Sequence, residues 1–488
     1  MSIDTPPLKP KKPRKTGRGI VRTYFVVFIY LALYIILAPI LIIGVFSPLY
    51  IFRGILSQLR KIFRKDLHKL INTRSSVLAR ENWSEDPKWN LVVWLTQEGQ
   101  MDLEKFRRYF YNEYVMRKDS NGKLLYPEYQ QHYCKWFGFL FWRWEDAFNV
   151  QEHIRPYDGI HKKLDPVDKP GLIKIIKELT WKAWDPQKSP WEFLQVAKYQ
   201  DEGRGDQGEK SLLIFRIHHG LGDGYYILKL VTQDIGGISL DRALGKPQFE
   251  RRNWFGNALS SFLFWLRAPY QMMEMMVSAQ DTNEWHLPRD EMRKPMNAAL
   301  TEPIDLGLLK NIKNNFHVSF SAVIYAAITG GIRRAYFDDF GPSIFSFVAL
   351  PTGISDPVKR LLKMDKNYTS LRRSSAPSLN SVHIPVIGAL PVCLIKPWCI
   401  NWMSTSLVSN FPGTPEYHFS GVKVLDMMFN AGLGEGSVGF GFCLISYIDH
   451  ITLISQVDPG ILPTDADVEI LNQKILQELE SLKELASP

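Results

Sequence analysis

The chain has 488 residues, 45% of them hydrophobic and 22% charged, and a formal net charge of +9. This balance fits a globular protein with one membrane segment and enough chain for two or three domains. The charge is uneven: the first 74 residues carry +12 and the rest −3. The basic pI therefore belongs to the N-terminus and not to the body, which argues against nucleic-acid binding. Four cysteines (Cys134, Cys393, Cys399 and Cys443) show no CxxC spacing. They read as reduced thiols facing the cytosol, and no zinc site is expected.

Taken in order, residues 1–23 form a basic disordered tail. Its Lys9-to-Arg22 string, with Pro10 and Pro13, resembles a nuclear-import sequence, but beside a membrane segment it reads as attraction to anionic headgroups. Tyr24 to Phe52 is uncharged over 29 residues, more than the ~20 needed to span a bilayer. It is too long for a signal-peptide core and has no small-residue cleavage site after it, so it reads as a retained anchor. A basic juxtamembrane segment, 53–74, follows. Because both flanks are basic, the positive-inside rule places both in the cytosol. That favours a bent hairpin, broken at Pro39, Gly44 and Pro48, over a single kinked helix. It leaves the body on the cytosolic side, at the endoplasmic reticulum.

The body divides into units 75–290 and 291–488, with Pro288, Pro295 and Pro303 punctuating a polar linker between them. Strands are expected at Leu91–Leu95, Leu212–Ile217, Phe345–Leu350, Val392–Ile395 and Phe442–Tyr447. Helices are expected at Leu172–Ala183, Ala322–Tyr336 and Ala466–Leu485. The last of these carries Val468, Leu471, Ile475, Leu479 and Leu482 on one face, with Thr464 or Asp465 as its cap. The fold class is α/β of mixed order. Trp136–Trp142 and Phe255–Leu266, followed by Met272, Met273, Met275 and Met276, are rich in large apolar side chains. They suit core, or membrane contact at a tunnel mouth.

The apolar run Leu212–Ile217 delivers His218 and His219 into a turn with glycines at 220, 222 and 224, and Asp223-Gly224 opens the apolar segment Tyr225–Val231. A histidine held by a tight loop at a strand end is placed to act as a general base. His219 is the candidate base and His218 its orienting neighbour. Asp223 reads as structural, through an arginine such as Arg216 or as a helix cap. Gly224 suits tight turning. No serine-nucleophile elbow is present, since Glu435-Gly436-Ser437-Val438-Gly439 lacks the first glycine of GxSxG. Asp339-Phe340-Gly341 lacks the context of a kinase or plant acyltransferase box.

The string His218–Gly224, HHxxxDG, resembles the signature of CoA-dependent acyltransferases. The match extends in order to the wax ester synthase/diacylglycerol acyltransferase family. Phe148-Asn149-Val150 with His153 resembles its strand ahead of the motif. Trp184-Asp185-Pro186 and Ser189-Pro190-Trp191-Glu192 resemble its LDxxxPLWE segment, and Val323–Arg334 its second-domain helix. Ser409–Gly413 resembles SNVPGP, and Ser446-Tyr447 with Asp458 its C-terminal run. Ser321-Ala322 departs from the family's Asn-Asp, although Ser321 can still cap the helix. The resemblance implies two chloramphenicol-acetyltransferase-like domains with mixed sheets flanked by helices and a tunnel between them. It implies acyl-CoA as co-substrate, a long-chain alcohol or diacylglycerol as acceptor, and no metal or prosthetic group. His219 would take the acceptor's proton and return it to the leaving thiolate. Oxyanion donors would be backbone N–H groups of Gly220–Gly224 or Asn410. A catalytically silent lipid-binding protein and a condensation enzyme are the rival readings.

Overall fold

A computed structural model describes residues 20–200, 208–238, 267–271, 273, 287, 291–336, 343–345, 348–374, 383–401 and 404–486. The basic tail before residue 20, Phe255–Leu266, Met272, Met275, Met276, Pro288 and Asp339–Gly341 lie outside the described residues.

The uncharged segment forms one run of helix. Ile20–Leu41 continues through a π-helical turn, Ile42–Phe46, into Ser47–Phe63. The hairpin expectation is therefore corrected. Leu41 and Ser47, on either side of the turn, both keep right-handed helical backbone, so the π turn absorbs the break and the chain does not reverse. Phe25–Phe63 spans 39 residues, with mean hydropathy 2.9 in its most apolar window, and is long and apolar enough to cross a membrane. Its C-terminal end is tied to the body: Leu56 packs with Leu67, Phe139 and Phe141, and Arg53 donates to the Ile71 carbonyl.

The body is a mixed α/β structure with two large sheets. In the first, the strand order is His418–Phe419, Val422–Ala431, Asn90–Glu98, Lys210–His218, Trp191–Tyr199, Ile154–Pro156. Asn90–Glu98 and Lys210–His218 are buried along almost their whole length, as central strands covered on both faces must be. Val422–Ala431 comes from far along the chain, yet it pairs antiparallel with Asn90–Glu98, Ala431 opposite Leu91. The second sheet has seven strands, with Ser406–Thr414, Phe440–Tyr447 and His450–Val457 at its centre. A three-stranded sheet joins Leu67–Leu70, Phe139–Trp144 and Gln131–Trp136; Trp136–Trp142 thus covers the turn of a hairpin and the first part of its second strand.

The expected helices form at Lys169–Trp181, Phe320–Tyr336 and Asp465–Ala486. Thr464 begins the last one: its Oγ1 accepts from Asp467 N–H, and the Asp467 carboxylate accepts from both Thr464 N–H and O–H. Four local expectations are corrected. Val392–Ile395 lies in a helix, Val392–Cys399; a four-residue apolar run has no period that separates helix from strand, and Pro391 suits a helix start. Phe345–Leu350 is split between two short antiparallel strands, Ser343–Phe345 and Val348–Leu350. Asn149 caps a helical turn, Val150–His153, and the strand follows at Ile154–Pro156. At Phe320–Tyr336 the cap is Ser319 rather than Ser321: Ser319 Oγ accepts from Ala322 N–H, and Asp365 accepts from Ser319 N–H and O–H. A carboxylate thus stands at this helix start, supplied by a neighbouring helix.

Candidate functional site

Strand alternation sends His218 and His219 to opposite faces. His218 ends its strand, opposite Asn90, and is fully buried. Its Nδ1 lies 3.0 Å from the Tyr133 hydroxyl and accepts from Gly220 N–H at 3.2 Å. With Nδ1 accepting, the neutral ring carries its proton on Nε2, which donates to Glu81 Oε1 at 2.8 Å. The Glu81 carboxylate also accepts from Lys88 N–H (2.7 Å) and Trp89 N–H (3.1 Å). The Trp89 carbonyl in turn accepts from His219 N–H at 2.8 Å. One buried carboxylate therefore holds His218 directly and His219 through the backbone.

The turn needs glycine where it packs closest. A Cβ on Gly220 would stand 2.6 Å from the Tyr133 hydroxyl and 2.8 Å from Ala79 Cβ. Asp223 caps the helical turn Gly224–Leu228, its carboxylate accepting from Tyr226 N–H at 2.8 Å. It does not pair with Arg216. The Arg216 guanidinium is buried on the other side of the sheet, donating to Glu192 at 2.8 Å and to Leu179 O at 2.8 Å, and lying 3.7 Å from the Trp184 ring. Trp184 and Glu192, from the segment that resembles LDxxxPLWE, are thus the packing and charge partners of Arg216.

His219 faces a cavity of about 200 Å³ between the two large sheets, lined among others by Leu91, Phe411, Met427, Phe429 and Ile445. The wall is apolar apart from His219, Ser409 and the Trp89 indole. Trp89 meets the His219 ring edge-to-face at 5.9 Å. Burial holds the His219 imidazole below the usual histidine range, against its own backbone carbonyl, which acts the other way. The imidazole is therefore neutral near pH 7. A hollow of about 520 Å³ beside Pro303 and Leu479 is larger but contains no histidine or cysteine, so it offers no comparable base.

Gly224 lines the same cavity, and a Cβ there would run into the Phe411 ring. Asn410 does not line it. Leu407, Ser409 and Phe411 are the residues of the strand Ser406–Thr414 that do, so alternation puts Asn410 on the opposite face. Asn410 is corrected as an oxyanion donor, and Ser409, one residue earlier, is the polar side chain the strand presents. Glu81 and Tyr133 carried no local signal of their roles. No group of three or more metal-binding side chains gathers among the described residues.

Residues 344–483 match the family model of the WS/DGAT C-terminal domain. This part of the chain thus carries the C-terminal domain of the wax ester synthase/diacylglycerol acyltransferase family. No curated protein matches the sequence. Among solved structures, the wax ester synthase/diacylglycerol acyltransferase from Marinobacter aquaeolei VT8 is similar at 14% identity. That match covers 86% of this chain and all of that one, with a TM-score of 0.56. The first condensation domain of the calcium-dependent antibiotic synthetase, in complex with a substrate analogue, matches at 10% identity over 86% and 97% of the two chains, TM-score 0.55. Trichothecene 15-O-acetyltransferase from Fusarium sporotrichioides matches at 11% over 84% and 94%, TM-score 0.50. At such identities these likenesses speak for the fold: the two-sheet body shared by WS/DGAT proteins and condensation domains.

Proposed function

We propose that this WS/DGAT-family acyltransferase is membrane-bound and transfers a fatty acyl group from acyl-CoA to a long-chain alcohol, making a wax ester. The observation that carries this reading is His219, a neutral imidazole facing an otherwise apolar cavity. An alcohol is too weakly acidic to attack a thioester unaided. His219 takes its proton as the new C–O bond forms, and returns a proton to the thiolate as the C–S bond breaks. The Gly224 N–H and the Ser409 hydroxyl, both at the cavity, are the donors at hand for the oxyanion, since Gly220 and Leu221 N–H already donate to His218. His218 and Asp223 shape the loop and do not touch the reacting atoms. Acyl-CoA is a co-substrate, and the reading needs no metal or prosthetic group.

The helix Phe25–Phe63 supports an anchor that keeps the enzyme where apolar acceptors dissolve. Cytosolic facing of the body, at the endoplasmic reticulum, follows from where acyl-CoA is made. The body comprises units 75–290 and 291–488, the first carrying the histidines. Diacylglycerol is the second acceptor this apolar cavity suits, yielding triacylglycerol. The test is an assay of membranes containing the protein, with labelled palmitoyl-CoA and either hexadecanol or diacylglycerol, alongside His219→Ala. Ester lost in the variant supports the reaction and the base together, and the product ratio gives the acceptor. Acyl-CoA binding without ester from either alcohol would point instead to a silent lipid-binding homologue.

A further inference from the structure

The uncharged stretch Tyr24–Phe52 is longer than a bilayer requires. At 1.5 Å per residue it measures about 44 Å, against a hydrocarbon thickness of about 30 Å. Any run of about 20 residues chosen from it to fill the hydrocarbon includes Tyr34. Yet Tyr34 is not surrounded by open space alone: its hydroxyl lies 3.3 Å from His383 Nε2. Tyr50, nearer the body, donates to the Pro385 carbonyl at 3.3 Å, and Phe28 lies 6.0 Å from the Tyr270 ring. The short helix 383–387 therefore runs beside the membrane-crossing part of the anchor.

The neighbouring surface presents large apolar side chains, with Lys135 and Lys396 exposed beside them. Leu394 is 46% exposed, Ile384 43% and Phe137 66%. Phe137 sits at the tip of the hairpin Gln131–Trp136/Phe139–Trp144 with a left-handed backbone, φ 46°. The tip is fastened to the helix Val392–Cys399, since Val392 N–H donates to the Gly138 carbonyl at 2.7 Å. The Phe52 ring lies 6.0 Å from Phe139 in the same hairpin. Hairpin tip, both helices and anchor thus form one continuous face.

We infer that the body is seated in the membrane surface through this face, with Phe137, Ile384 and Leu394 inserted among the lipids. The inference rests on reading Tyr24–Phe52 as a membrane anchor. The seat lies close to the chemistry: Tyr133, the partner of His218, is three residues of extended strand, about 10 Å, from Trp136 at the tip. A lipid acceptor would then reach the His219 loop without crossing bulk water.

The test uses the full chain in phosphatidylcholine vesicles containing a nitroxide-labelled lipid. Cys134, Cys393 and Cys399 are changed to serine, the buried Cys443 is kept, and a bimane label is placed singly through Ile36→Cys, Phe137→Cys, Leu394→Cys or Glu480→Cys. Fluorescence loss at 137 and 394 comparable with that at 36, and none at 480, is expected. Loss at 36 with 137 and 394 behaving like 480 would overturn the seated body while leaving the anchor intact. No loss at 36 would overturn the anchor reading, and the inference with it. All four substituted positions are exposed, and matching Tm values among the variants check that folding is kept.

Discussion

Glu81 and His218, 137 positions apart in sequence, meet at 2.8 Å in the buried interior behind the HHxxxDG loop. Glu81 serves three donors at once, the His218 ring and two backbone N–H groups. Glu81→Gln keeps the shape but replaces one acceptor oxygen with a donor. Losing a hydrogen bond to a charged group costs about 1.5–3 kcal/mol, or roughly ten- to hundred-fold in rate where the transition state feels it. We expect kcat to fall within that range with KM little changed, while Glu81→Ala also lowers Tm. Steady-state kinetics beside thermal unfolding separate the two; an unchanged kcat in Glu81→Gln would dismiss the positioning role.

The His219 environment fixes the sign of the pH dependence. Burial lowers its pKa from the usual ~6.5, so the base is already deprotonated at neutral pH and is lost only on acidification. The acid limb of kcat/KM, which reports the free enzyme, should have its midpoint below about 6.5. His219→Ala should lower the rate by about 10²–10⁴-fold and abolish that limb in whatever activity remains. A midpoint above 7 would assign the limb to another group.

At Gly224 the question is space. A methyl group added there meets the Phe411 ring across the cavity. Gly224→Ala should raise KM for long-chain acceptors or abolish turnover. Gly224→Ala with Phe411→Ala should recover activity, because the second change vacates the volume the first one fills. Failure of the pair to recover, with normal Tm, would mean the glycine is needed for the turn instead.

Asp223 offers a test between capping and chemistry. It is exposed, and its carboxylate accepts from Tyr226 N–H. Asp223→Asn retains a capping oxygen and should keep most of the activity. Asp223→Ala should cost about 0.5–2 kcal/mol of stability, read from denaturant unfolding. A large activity loss in Asp223→Asn at full stability would instead place the charge in the reaction.

The histidine loop was legible because its parts are contiguous: a buried strand, two histidines and a cap lie within fourteen positions of one another. The same holds for the long amphipathic helix Asp465–Ala486, whose apolar period repeats over 22 residues. What stayed hidden depends on distance or on parity. Glu81 belongs to a segment that, read locally, offers no signal of chemistry; its task appears only when residues 88–89 and 218 fold around it. Asn410 and Ser409 differ by one position, and a one-residue step in a strand exchanges the cavity face for the opposite one. The anchor's three helix-breaking residues suggested a reversal that the π turn at Ile42–Phe46 avoids.

The strand Val422–Ala431 has a bearing on how the protein is made. Its partner, Asn90–Glu98, acquires its other neighbour as soon as Lys210–His218 has been synthesised. It must then wait some 213 further residues for Ala431. At about 5–20 residues per second, that is roughly 10–40 s of synthesis during which a strand edge and the apolar wall of the future cavity stand open. The nascent chain needs shelter over that interval, and on the proposed anchor reading the first helix, translated long before, would already have brought it to a membrane.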